Sequence, residues 1–158
     1  MSKKKTRITT NFFLEDLCRT NTGFANIPTE ADIANMFLLC YFIAQPVRDK
    51  FGRLYENSCF RNIHVNIKIG GGYGSQHLTA SALDFYPMDA DIDKVFAWIA
   101  RSKFLRFGQA ILESRKRTDG TFYRWIHISL PRYGRTNQEL LVSTKPGKYK
   151  PYLIQPPV

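Results

Sequence analysis

Three stretches of the chain repeat apolar residues at helical spacing, and two others alternate apolar with polar positions. Asn11 is placed to cap a short helix from Phe12 to Cys18, where Phe13, Leu14 and Leu17 form one stripe. Thr29 precedes a longer helix, with Glu30 and Asp32 in the first turn where the helix dipole favours acid. Its buried face is Ile33, Met36, Phe37, Cys40, Tyr41 and Ala44. Pro46 has no N–H to donate, so it is expected to kink or interrupt that helix before Phe51-Gly52 ends it. A third helix starts at Asp89 or Asp91 and runs through Ala100, with Ile92, Val95, Phe96 and Ile99 inward. Phe107 to Ser114 and Tyr123 to Leu130 alternate as strands, joined around Asp119-Gly120, a strong hairpin dipeptide. Leu54 to Phe60 and Ala82 to Tyr86 read as short strands. Arg61 to Ile69 has neither period and is expected to be irregular, and Gly70-Gly71-Gly72-Tyr73-Gly74 is a loop.

At 158 residues, with 44% hydrophobic and 14% aromatic side chains, the chain is long enough for one domain with a real core. Residues 1–11 form a basic N-terminal arm, expected to be mobile. Residues 131–158 form a basic, Pro-containing tail, expected to lie over the domain surface or to be loose. The longest apolar run, Met36 to Ala44, falls short of the roughly 20 residues that cross a bilayer. Met1-Ser2-Lys3-Lys4-Lys5 has the charge of a signal-peptide start, but no apolar segment follows. The expectation is a protein made in the cytoplasm without a signal peptide, reaching any substrate outside the membrane only after lysis or by delivery. Cys18, Cys40 and Cys59 are odd in number and widely spaced, which points to reduced thiols and away from a disulfide framework or thiolate metal site.

The net charge of +10 raises the question of nucleic acid, because clustered Lys and Arg bind phosphates by counterion release. The charge is dispersed, however, and no recognition helix, finger or RNA-binding motif accompanies it. Nor does a Lys-Ser or Lys-Thr follow the glycines of 70–74, as a phosphate-binding loop requires. The balance predicts nonspecific attraction to a polyanionic surface such as an anionic cell wall or a packaged genome, without sequence readout.

Candidate chemistry lies in Ser75-Gln76-His77-Leu78-Thr79-Ala80-Ser81-Ala82-Leu83-Asp84 and in Trp125-Ile126-His127. Two imidazoles and one carboxylate make a three-ligand set that leaves a fourth tetrahedral position open, as a catalytic zinc needs. Asp84 interrupts an apolar strand, where an unpaired carboxylate would cost several kcal/mol, so a cation or an arginine must compensate it. His127 shares a strand face with Trp125 and Ser129, leaving Ile126, Ile128 and Leu130 for the core. If His77, Asp84 and His127 converge, the protein is a metal-dependent hydrolase. His64 reads as a structural histidine. One hairpin register sets Glu113 opposite His127, in reach of a water as general base; a register one residue away turns it to the other face. Loop residues 115–122 leave both open.

These motifs resemble the zinc D-alanyl-D-alanine carboxypeptidase and hedgehog-like metallopeptidase family, particularly its small phage-type, endolysin-like peptidoglycan peptidases. The family's Ser-x-His-x-x-Gly-x-Ala-x-Asp matches Ser75, His77, Ala82 and Asp84, and its Trp-x-His matches Trp125 and His127. Ser58-Cys59-Phe60-Arg61-Asn62 is similar to its Ser-Gly-Tyr-Arg segment. The resemblance covers residues 12–130 and implies an α+β domain whose small antiparallel sheet holds the metal. It implies His77, Asp84 and His127 as zinc ligands and Arg61 as a substrate contact. Ser75 and Gln76 would then order the loop or hydrogen-bond the peptide backbone. There are two departures: Ala80 replaces the usual glycine, and Arg124 stands where many relatives place their Glu base, which leaves Glu113 as the best carboxylate.

The function implied is cleavage of a peptidoglycan stem peptide, as a D-Ala-D-Ala carboxypeptidase or an L-Ala-D-Glu endopeptidase, by a monomer acting on the wall after release or from a virion. Two other readings stand beside it: a non-catalytic, zinc-stabilised binding or virion-associated protein on the same fold, and a basic nucleic-acid-binding protein.

Overall fold

A computed structural model describes residues 5–133 and 137–154. Five α-helices and six strands are present among them: α1 Leu14–Leu17, α2 Glu30–Leu39, α3 Gln45–Phe51, β1 Leu54–Ser58, α4 Ile63–Lys68, β2 Ala82–Pro87, α5 Ile92–Arg101, β3 Gln109–Lys116, β4 Phe122–Ser129, β5 Glu139–Lys145 and β6 Lys148–Pro151. The strands form one sheet in the order β1-β2-β4-β3-β5-β6. Every neighbouring pair is antiparallel except β3 and β5. The fold is α+β.

Alternation decides what each sheet face does. Leu83 and Phe85 of β2 and Ile126 and Ile128 of β4 are fully buried and join one hydrophobic cluster with Val95, Phe96 and Ile99 of α5. Met36, Leu39, Ile43 and Val47 close the same cluster. Each large side chain so buried contributes about 1.5–3 kcal/mol. The opposite sheet face carries Asp84, His127 and Trp125, whose strand neighbours do the burying.

The helix caps follow the expected chemistry. Thr29 and Asp32 form a reciprocal capping box on α2, and Asp91 caps α5 by accepting from the Lys94 N–H. Pro46 resolves in an unexpected way. Cys40–Ala44 winds as a π-helix, and Pro46 sits in the first turn of α3. The helix widens upstream of a residue that has no N–H to offer.

Several expectations are corrected. Asn11 does not cap α1: its side chain accepts from Gln45, and Phe13 precedes the helix without a side-chain cap. Residues 61–69 are not irregular, because Asn62 accepts from the Val65 N–H and starts α4, whose alternating Ile and Val had hidden the helix. Lys3 and Lys4 of the basic arm lie outside the described residues. Its described part is not loose: Lys5 pairs with Asp16 at 2.7 Å, Thr6 donates its N–H to Glu15, and Arg7 bridges to Phe13. The tail does not merely lie over the surface. Its residues 139–151 extend the sheet as β5 and β6, because Leu140 and Val142 pack on the core. Gly134 to Thr136 and Gln155 to Val158 of that tail lie outside the described residues. No helix among the described residues is long and apolar enough to cross a membrane. Cys18, Cys40 and Cys59 are free.

Candidate metal centre

Local turns place the first histidine. Ser75 ends the glycine loop, and its Oγ accepts from the His77 N–H, opening a short 3-10 turn over Gln76–Thr79. The turn closes at Ala80, buried and left-handed at φ 52°. A left-handed position favours glycine, which accounts for the family's usual residue. Here alanine adopts the same turn. The chain then enters β2, where Asp84 is the direct cross-strand partner of His127 on β4. Direct partners share a face, so strand pairing alone sets carboxylate against imidazole.

One ligand atom from each of His77, Asp84 and His127 lies within 4.8 Å of the others. His127 Nδ1 is 2.8 Å from Asp84 Oδ1, and His77 Nε2 is 3.3 Å from Asp84 Oδ2. His77 Nδ1 sits 2.7 Å from the Cys59 carbonyl, which can only accept. Nδ1 therefore carries the proton, and a neutral His77 points its Nε2 lone pair at a carboxylate oxygen. Two acceptors facing each other call for a cation between them, and a backbone acceptor behind a ligating histidine is the usual way to fix its tautomer. The residues fit a divalent metal. Burial pushes the His77 pKa down, in keeping with the neutral ring. Burial works against the Asp84 charge, but His77 and His127 outweigh it and hold the carboxyl well below its usual range.

Glu113 reaches the same cleft by a register that was not expected. The turn closes with the Arg117 N–H on Thr121 and Gly120 left-handed, so Glu113 pairs with Trp125, and Ile111 pairs with His127. The shift is by an even step from the arrangement opposite His127, so Glu113 stays on the metal face. Arg115 holds Glu113 Oε2 at 2.7 Å, stacks over the Trp125 ring and reaches Ser143 of β5. Burial, then the charge of Asp84, raise the Glu113 pKa above the ordinary carboxylate value.

The other expected residues are placed differently from one another. Arg61 donates to Asp84 Oδ2 and to Ser58 Oγ, each at 2.6 Å, so its guanidinium adjoins the metal cluster. Ser75 orders the loop as described. Gln76 is buried and ties that loop to the Leu130 carbonyl at 3.1 Å. Arg124 projects from the other sheet face onto Asp93 of α5, at 2.6 and 2.7 Å, away from the metal. His64 is exposed and stacks near Phe24. Sequence reasoning missed Arg115, Tyr149 and the Cys59 carbonyl. Pro146-Gly147 was a readable turn signal for the hairpin that carries Tyr149, whereas a backbone carbonyl has no sequence signature.

A family model described as Peptidase M15 matches residues 8–129. The chain belongs to the Peptidase M15 family. The match takes in His77, Asp84, Glu113 and His127, and ends before β5 and β6. No curated protein matches the chain. As a Peptidase M15 member it is a metallopeptidase by family, and its His-Asp-His cluster can hold the metal.

The pKa directions predict how the metal-free peptidase responds to acid. The folded His77 pKa lies below its unfolded value near 6.5, so the unfolded state binds the proton first. Its contribution to stability is full above that pH and declines as pH falls toward the folded pKa. Asp84 adds a second loss below its ordinary value of 3.8. Denaturant midpoints of chelated protein should drop in these two windows, and replacing His77 by Gln should remove the upper one.

Proposed function

We propose that this protein is a zinc peptidase acting on the stem peptides of bacterial peptidoglycan. The observation that carries the reading is the neutral His77 turned onto the Asp84 carboxylate beside His127, with Glu113 in the same cleft. The nitrogen–nitrogen–oxygen donor set suits zinc, which when bound would polarise the scissile carbonyl and make water acidic enough to attack near neutral pH.

Glu113 takes the proton of the attacking water and delivers it to the departing amine. Its raised pKa suits both halves of that task. Arg115 holds Oε2 and so fixes the carboxylate plane, leaving Oε1 for the proton. Arg61 stands beside Asp84 in the cleft and, with its planar fork, suits an internal substrate carboxylate or the developing oxyanion. Ser75 and Gln76 hold the loop that presents His77. The +10 charge favours retention on anionic wall polymers, and the resemblance to phage-type enzymes favours a role in lysis or on the virion.

Purified protein should release peptide or amino acid from soluble peptidoglycan fragments, lose that activity to a chelator and regain it with zinc. Stoichiometric zinc without any turnover would favour a binding protein on the same fold. Protein that takes up no zinc would sink the reading.

A further inference from the structure

Two cavities share Asp84 of the metal cluster, and His77 and His127 line the second of them. One, of about 500 Å³, runs past Tyr55 and Tyr123 to Arg19. The other, of about 640 Å³, runs between the glycine loop and the β5–β6 hairpin, out to Pro146, Gly147 and Tyr149. Arg61, Ile69, Asp84 and Trp125 form part of both walls. Each cavity alone falls within the size range of a ligand site.

We infer that the protein is an endopeptidase, taking a chain that continues on both sides of the bond it cuts, with Tyr149 as a specificity-determining contact for the departing segment. The inference rests on the peptidase reading and narrows it. A carboxypeptidase must stop its substrate one residue past the scissile bond, and the usual stop is a cation that holds the terminal carboxylate. The arginines lining the second cavity are each engaged within the chain. Arg115 is paired with Glu113 at 2.7 Å, and Arg132 donates to the Gly74 carbonyl at 3.0 Å. Arg61 is paired with Asp84.

The hairpin marks the departing side. Glu113 gives its proton to the leaving amine, and Tyr149 lines the same cavity as Glu113. The Tyr149 side chain is half exposed on β6, a strand beyond the family match, with a ring and a hydroxyl to offer a peptide. Hydrolysis here adds water across one internal amide. The C–N bond breaks, the acyl side keeps the new oxygen, and the amine leaves with several residues attached.

The test uses zinc-loaded protein and a soluble disaccharide pentapeptide, with products read by mass spectrometry. The expected result is an internal cut that liberates a fragment of several residues. Tyr149→Ala should raise KM about tenfold and Tyr149→Phe a few fold, with zinc content and unfolding midpoint unchanged. Release of the terminal D-alanine alone would overturn the inference and leave the peptidase reading intact. An internal cut with parental KM in Tyr149→Ala would remove Tyr149 from it. No cleavage of any bond by zinc-loaded protein would overturn the peptidase reading and this inference with it.

Discussion

Glu113→Gln is expected to lower kcat by roughly 10²- to 10⁴-fold, the range a positioned general base contributes, while zinc content stays at the parent level. Glutamine keeps the size and an oxygen for Arg115 but cannot hold and return a proton. The loss should appear in kcat and kcat/KM together, because the proton transfer belongs to the transition state. In the parent, kcat/KM should fall on the acid side through a pKa above the ordinary carboxylate value, since burial and the Asp84 charge both favour protonated Glu113. That acid limb should be absent from whatever activity the variant retains. Arg124→Ala serves as the contrast: it breaks an exposed pair with Asp93 on the far face and should leave turnover unchanged. Full turnover in Glu113→Gln would remove Glu113 as the base.

The second large effect is expected at Asp84. Asp84→Ala leaves the Arg61 guanidinium, itself mostly buried, without its counter-charge and removes the carboxylate that faces both histidines. Breaking a buried pair from one side costs on the order of 3–5 kcal/mol, more than the paired arrangement itself contributes. Denaturant unfolding of metal-free protein should show that loss near neutral pH, and a zinc titration should show no stoichiometric binding. A double variant, Asp84→Ala with Arg61→Met, should recover part of the stability and none of the zinc. Parent-like zinc affinity in Asp84→Ala would remove this carboxylate from the ligand set.

Much of the local structure was legible before any coordinates. Thr29 with Asp32, and Asp91 before an apolar stripe, announce helix starts because a side-chain oxygen must satisfy the first free N–H groups. Residues 82–86 and 123–130 show their strand character and their buried faces by alternation. The three residues that converge were recognisable by donor type and by one carboxylate breaking an apolar run. Asn62 was the missed cap: an alternating Ile-His-Val-Asn-Ile resembles a strand until its first N–H groups find a side-chain acceptor.

The hairpin register was beyond sequence arithmetic. Gly120 adds a left-handed residue to the turn, and that detail moves the pairing while keeping Glu113 on the metal face. The tail shows the same limit. Its excess of lysine and arginine reads as solvated chain, yet Leu140 and Val142 find the free edge of β3 and carry Tyr149 into the cleft wall.

By itself the chain determined residue chemistry and local period: an α+β mixture, the helix caps, the strand faces and a nitrogen–nitrogen–oxygen donor set. These depend on neighbours a few positions apart, whose interactions are written in the order of the residues. Only the tertiary structure decided that the Cys59 carbonyl keeps the His77 proton on Nδ1, that Arg115 fixes Glu113, and that Asp84 of the cluster lines two cavities. Those outcomes turn on strand register and on backbone groups that every residue shares, so distance in space, not position in the chain, sets them.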